Sequence, residues 1–442
     1  MSNGAFSSLK EAQILEDNLQ QQIQLYDRIH EIEDGSVEAE KLQEKLADLQ
    51  QRKLEYLQQP FQSIRIQPPE TSIELGQTDQ AQPYRITLDQ LTRHALTIGE
   101  TGAGKTNLHY YILNQLQQRD IPFLVFDLKQ DYRHLLNTSG FDTHNLTVIP
   151  WKELRYNPLQ PPAGVDTDDW IRTFTDVFGH SQSLMSASKN YLFHQIWTEH
   201  RSQDQSEHLT LRELYRSVEN HSPSSYKREN YRDTVHNRLR RLTFSGQLMF
   251  QHQTGIPLET LLQNNVVLEL DGLGNDIQNL VIETLLAKIY LYRKAHGQRG
   301  RGARHISVMD EGKQVFSGKK ERNTKKDVPI IDQITAKFRE FGEGLLVADQ
   351  EATKLTESIM ANTSSKILLP TGSCTQFKQM ADAIGLNSEQ REWAQQHLET
   401  GRALIYNQDT GLYPVKIPLA AGGVEKTVSD ELVAKTREQL AF

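Results

Sequence analysis

The stretch Gly99-Glu100-Thr101-Gly102-Ala103-Gly104-Lys105-Thr106 constrains this chain more than any other. It reads G-x-x-x-x-G-K-T, a pattern whose backbone N–H groups cradle phosphate. Its surroundings fit the pattern. Ala95-Leu96-Thr97-Ile98 before it is a short β-prone apolar run. Residues 107–119 after it carry Leu108, Tyr111, Ile112, Leu113 and Leu116 at helical spacing. Strand, glycine loop and helix N-terminus together surround an anion with donors. The glycines let the backbone approach the phosphates closely. Lys105 is expected to reach the β- and γ-phosphates of ATP, and the Thr106 hydroxyl to ligate Mg2+.

Composition narrows the setting. The 442 residues leave room for two or three domains, and 37% hydrophobic with 24% charged content suits a globular chain with a large polar surface. No apolar run approaches the roughly 20 residues of a membrane helix. Met1-Ser2-Asn3-Gly4 lacks the basic and apolar regions of a signal peptide, so a cytoplasmic location is expected. The one cysteine, Cys374, excludes an intramolecular disulfide and a cysteine-built zinc site, and reads as a small loop residue. A formal net charge of -8 argues against nucleic-acid binding over the whole exterior, but leaves room for a basic channel lining.

Along the chain, residues 1–59 read as a helical arm. Leu15, Leu19, Tyr26 and Ile29 fall on one stripe and Leu42, Leu46, Leu49 and Tyr56 on another. This is coiled-coil spacing, interrupted at Asp34-Gly35-Ser36, so a helical hairpin is expected. Residues 60–94 hold short β-like pieces at 63–66, 72–75 and 84–87. The strand 121–127, ending in Asp127, follows the glycine loop and its helix, which means a parallel α/β sheet. Residues 165–262 turn helical, with Trp170, Ile171, Phe174, Val177 and Phe178 on one face. Strands resume at 266–270, 306–309 and 344–350. A helix is expected over 331–341, a hairpin over 402–416 and a terminal helix over 430–440. The expected organisation is an ATP-binding core over 95–164 and 263–420, a helical insertion over 165–262, and a tail over 421–442.

A phosphate loop needs a second acid for Mg2+ and a group that orients water. Asp310-Glu311 ends an apolar strand with adjacent carboxylates: Asp310 for the metal and Glu311 for the attacking water. Two neighbouring like charges are costly without a metal or donor nearby, which favours this pair over Asp271. Asp271 reads as a turn residue before Gly272. Gln350 ends the next strand, where side chains gather over the same crevice as the glycine loop, so its amide is placed to read the γ-phosphate or position water.

With these pieces in order, the chain resembles the HerA/FtsK superfamily of hexameric motor ATPases. The matching stretches are Arg93 to Thr106, Val125-Phe126-Asp127, Tyr156-Asn157-Pro158-Leu159, Val308-Met309-Asp310-Glu311 and Phe341 to Gln350. The resemblance implies an α/β P-loop NTPase core of RecA/FtsK type with a mostly parallel central sheet. It implies Gln350 as a sensor and an arginine just before that strand, best matched by Arg339. Arg402 in the terminal hairpin is the weaker match for a residue offered to a neighbouring subunit. HerA proteins usually begin with a β-barrel domain, whereas a helical arm stands here. The membrane segments of the cell-division translocases have no counterpart.

Motors of this kind grip duplex DNA with basic pore loops, and phosphates attract lysine and arginine regardless of sequence. The loop carrying Lys319, Lys320 and Arg322 is the first candidate and the Arg299–Arg304 link the second. The expected function is an ATP-driven motor on double-stranded DNA, working as a hexameric ring with a nuclease or other effector, including in anti-phage defence. A scaffold ATPase that assembles and activates a partner is the main alternative. A conjugation or secretion pump is a further one.

Overall fold

The structure, a computed structural model, describes residues 24, 41–47, 61, 71–202, 208–300, 302–318, 330–420 and 427–438. Short runs of Val, Ile, Leu and Phe supply its strands: β1 (Ser72–Thr78), β2 (Pro83–Thr87), β3 (Ala95–Ile98), β4 (Phe123–Asp127), β5 (Thr147–Pro150), β6 (Val266–Glu269), β7 (His305–Asp310), β8 (Glu343–Asp349), β9 (Ser365–Leu368), β10 (Arg402–Asn407) and β11 (Gly411–Lys416). All join one sheet in the order β2-β1-β11-β10-β9-β3-β8-β7-β4-β6-β5. From β9 to β5 neighbouring strands run parallel. From β9 to β2 they run antiparallel. Strands β3, β4, β6, β7, β8 and β9 are buried at every position, as expected of a parallel sheet covered on both faces.

Helices cover both faces. The helix α1 (Lys105–Gln117) follows β3 directly and buries Leu108, Ile112, Leu113 and Leu116. Between β5 and β6 lie α2 (Thr167–Ser181), α3 (Ser186–Ser202), α4 (Leu211–Asn220) and α5 (Tyr226–Ser245). Local chemistry starts them. The Asp166 carboxylate accepts the amides of Asp168 and Asp169 at the head of α2. Thr210 and Glu213 form a capping box at the head of α4. The long helix α6 (Asn275–Ala295) is buried along most of its length, packs against α2, and carries Lys288. The Lys288 ammonium donates to the Asn157 carbonyl at 2.7 Å and lies over the Tyr156 and Trp170 rings. It thereby fixes the extended break after β5 to the helical layer.

The pairing register decides what meets at the C-terminal edge of the parallel strands. Ile98 of β3 lies opposite Asp349 of β8, and Asp310 of β7 opposite Ala348. Phe126 of β4 lies opposite Met309, and Asp127 opposite Glu269 of β6. Four adjacent strands therefore end in acids at nearly one level, beside the loop that leaves β3.

Some elements depart from expectation. The helix expected over 331–341 is divided into Ile330–Thr335 and a 3-10 turn at Phe338–Phe341, which ends at Gly342 with φ +72°. The terminal helix spans Asp430–Lys435. The pieces over 72–75 and 84–87 become β1 and β2, which extend the central sheet through β11. The β-like piece at 63–66 lies outside the described residues. So does the expected arm, except residue 24 and 41–47, a helical stretch that buries Leu42 and Leu46.

Candidate functional site

The glycine loop bridges β3 and α1 at the acid-lined edge. Gly104 heads the helix at φ +104° and Gly102 stands at φ +82°, conformations that a residue with a Cβ rarely adopts. Gly99 and Glu100 donate their amides to Asp349 O and Pro370 O, so the ends of β8 and β9 brace the loop. Lys105 is 7% exposed, and its Nζ donates to the Gly99 and Glu100 carbonyls at 2.8 Å each. Burial lowers its pKa, while Asp310, Asp349 and Glu311 act the other way. Among the described residues no carboxylate reaches it within ion-pair distance. A buried ammonium that meets carbonyls alone fits an arriving anion, and this is the feature of the loop that suits a triphosphate best.

The four acids at the edge divide their work. The Asp349 carboxylate accepts the amides of Lys313, Gln350 and Glu351. Asp127 accepts those of Lys129, Asp131 and Tyr132, and burial pushes its carboxyl up to about 7 against those bonds. Glu269 holds the Arg133 guanidinium in a two-pronged contact at 2.6 and 2.7 Å. These three staple the loops around the edge. Asp310 accepts one amide, that of Glu311. Burial raises its pKa, opposed by the charges of Lys129 and Lys105. A buried carboxylate with lone pairs to spare next to cations suits a metal ligand. Among the described residues no cluster of three or more His, Cys, Asp or Glu could bind a metal alone. Mg2+ suits such a place because it keeps waters and takes one or two protein oxygens plus phosphate oxygens.

Glu311 follows at φ +65°, outside the usual range for a residue with a side chain. Gly312 comes next, where an added Cβ would lie 2.2 Å from Val347 Cγ1, so the chain must turn tightly against β8. The Glu311 Oε1 lies 2.6 Å from Lys129 Nζ, and Oε2 accepts from Gln314 Nε2 at 3.4 Å. Burial would raise its pKa, but the hydrogen bond and charge of Lys129 prevail and lower it. Gln350, just past β8, accepts from the Thr101 hydroxyl at 3.2 Å. The loop residues 99–106, Asp310, Glu311 and Gln350 thus share one edge of one sheet.

The arginines stand elsewhere. Arg339 lies before β8, at the opposite edge, half exposed and 3.9 Å from Asp89. The seven residues of β8 separate it from Gln350, a span of about 23 Å. Arg402 begins β10, beside the glycine loop of its own chain: the Gly401 amide donates to the Ala103 carbonyl. Its guanidinium pairs with Asp79 at 2.6 Å and covers the Trp393 ring. Lys319, Lys320 and Arg322 lie outside the described residues. In the second basic link, Arg299 is exposed and 4.0 Å from Glu340.

Three features escaped the sequence reading. Lys129 is one, and the loop-stapling use of Asp127 and Asp349 is another. The third is a strap: the Asn107 side chain donates to Pro418 O and accepts from the Ala420 amide, so residues 418–420 lie across the start of α1. Apolar strands ending in acid at 127 and 349 were the available signal for the second.

Residues 73–289 match the family model described as Helicase HerA, central domain. A DNA double-strand break repair helicase HerA from Sulfurisphaera tokodaii is 23% identical over 336 residues, 73% of this chain and 63% of that protein. The protein of the same description from Sulfolobus acidocaldarius is 22% identical over 335 residues, with the same coverage. The chain therefore spans less than two thirds of these relatives. Among solved structures, VirB4 of Thermoanaerobacter pseudethanolicus superposes with a TM-score of 0.61 at 14% identity, over 80% of this chain and 98% of that one. The plasmid coupling protein TrwB in complex with ADP and Mg2+ gives 0.61 at 12% identity, over 81% and 91%. At such identities the likeness speaks for the fold.

Proposed function

We propose that this chain, similar over residues 73–289 to the HerA central domain and at 22–23% identity to HerA helicases, is a P-loop ATPase of the HerA/FtsK type: a ring motor that hydrolyses ATP to act on double-stranded DNA together with a nuclease or other effector, in anti-phage defence. The observation that carries the reading is the convergence of Lys105, Asp310, Glu311 and Gln350 at the adjacent C-terminal ends of β3, β7 and β8.

The geometry supports the following division of labour. Residues 99–106 wrap the phosphates with backbone donors, and Lys105 exchanges its two loop carbonyls for phosphate oxygens. Thr106 and Asp310 would hold Mg2+, which would neutralise phosphate charge. Glu311 orients the attacking water and accepts its proton. The neutral amide of Gln350 senses the γ-phosphate without adding charge. Arg339, too far from its own loop, serves a neighbour's pocket in a ring. Lys319, Lys320 and Arg322 meet the DNA backbone. No helix among the described residues is long and apolar enough to cross a membrane.

The deciding experiment measures phosphate release and particle mass of the full chain with Mg-ATP, with and without duplex DNA. A hexamer whose turnover rises on duplex DNA is the expected result. A monomer under every nucleotide condition, or turnover indifferent to DNA but dependent on a protein partner, would remove the DNA motor from consideration.

A further inference from the structure

We infer that Lys129 is a positioning residue for the same reaction: it holds the Glu311 carboxylate in a resting geometry, and turnover requires it to let go. This rests on the reading of Glu311 as the group that orients water.

The backbone on either side of the contact is fixed. Glu311 donates its amide to Asp310, and Lys313 donates its amide to Asp349, so the turn after β7 is held at both shoulders. The loop after β4 is anchored in the same manner, since Asp127 accepts three of its amides, that of Lys129 included. Two side chains bridge these clamped loops. Lys129 Nζ meets Glu311 Oε1 at 2.6 Å while Gln314 engages Oε2, so both oxygens are occupied. A carboxylate held in this way has a donor on each oxygen competing with a water, and contact with an ammonium makes it a weaker base.

Stability does not account for the pair. The two side chains are 41% and 22% exposed, and ion pairs with that much solvent add little. Release, by contrast, is within reach. Lys129 is anchored by its backbone amide, and its side chain is 41% exposed. Its charge acts on both Lys105 and Asp310. An arriving triphosphate offers it a partner that competes with the carboxylate. Turnover of the ATP-bound protein is then limited by the fraction of time in which the ammonium has shifted and Glu311 is free. The contact thus ties the onset of hydrolysis to occupation of the loop and suppresses idle turnover.

The test uses the full-length protein and steady-state phosphate release with Mg-ATP and no DNA. Lys129→Met is expected to raise kcat roughly threefold or more while KM for ATP stays within about twofold. Lys129→Arg keeps the charge and the contact, and is expected to restore the wild-type rate. Lys129→Gln repeats the measurement if the methionine variant folds poorly. The double variant Lys129→Met with Glu311→Gln is expected to be as slow as Glu311→Gln alone, because Lys129 acts through that carboxylate. A lower or unchanged kcat in both Lys129→Met and Lys129→Gln, with Glu311→Gln nearly inactive, overturns the resting contact and leaves the role of Glu311 standing. Wild-type turnover in Glu311→Gln overturns both.

Discussion

The Thr101 hydroxyl lies 3.2 Å from Gln350 Oε1, although 249 positions separate the two residues. The contact ties the tip of the glycine loop to the end of β8. Gln350 is therefore placed to respond to whatever fills the loop. Replacing it with alanine removes one preorganised donor from the charge that develops in the transition state. Gln350→Ala should lower kcat by about 10² to 10³ while changing KM for ATP little. Phosphate release over a range of ATP concentrations checks this, and a change in KM alone would make Gln350 a binding residue.

Lys105 and Glu311 separate binding from chemistry. Lys105→Ala should abolish ATP binding, because it removes the buried cation of the loop. Glu311→Gln should bind ATP with near wild-type affinity and turn it over about 10² to 10⁴ times more slowly. Equilibrium binding of a fluorescent nucleotide beside phosphate release distinguishes the two. Wild-type hydrolysis in Glu311→Gln would move the water-orienting role to another residue.

Arg339 stands at the far edge of the sheet from its own phosphate loop. Arg339→Ala should lose about 10³ to 10⁵ in rate. Mixing it with Lys105→Ala should recover part of the activity, since each protomer lacks a different half of the shared pocket. If the mixture is no more active than its parts, Arg339 does not act between subunits.

The basic loop makes an ionic-strength prediction. Replacing Lys319, Lys320 and Arg322 with alanine should weaken duplex DNA binding and lower the slope of log K against log salt by up to about 3. Binding isotherms at several salt concentrations provide the readout. An unaltered slope assigns DNA contact to other residues.

Lys288 carries a pH signature. Burial lowers its pKa from 10.5 to about 7. Below pH 7 the folded and unfolded chains both hold this proton, and the cost of burying the charge is fully present. Between about 7 and 10.5 the unfolded chain keeps the proton that the folded chain sheds, so stability rises with pH. The slope from this group is at most about 1.4 kcal/mol per pH unit. Urea unfolding of wild type and Lys288→Met at pH 7 and pH 9 should show wild type gaining on the variant. A constant difference would mean the lysine titrates normally.

The phosphate loop was legible because its chemistry is written in eight consecutive residues. Asp310 and Glu311 were legible because two acids in a row at the end of an apolar strand are costly without a reason. Asp127 and Asp349 end strands of the same kind, yet their partners are backbone amides of loops that only the fold brings near. Lys129 carried no local signal at all, since its meaning lies in a partner on a strand that is adjacent in space and distant in sequence. The strands β1 and β2 were legible as strands but not as members of the central sheet, because their membership depends on β11, which arrives over three hundred residues later. The division of the expected helix at 331–341 follows the need to turn at Gly342 before β8 begins.

Strand β8, seven residues long, pairs in parallel with both neighbours and is buried throughout. If Arg339 serves an adjacent subunit, as proposed, this one buried strand has an end in each of two pockets. A small tilt forced on it by the contents of one pocket would be delivered undiminished to the other. Firing around the assembly would then follow a sequence, each subunit cueing the next by leverage alone.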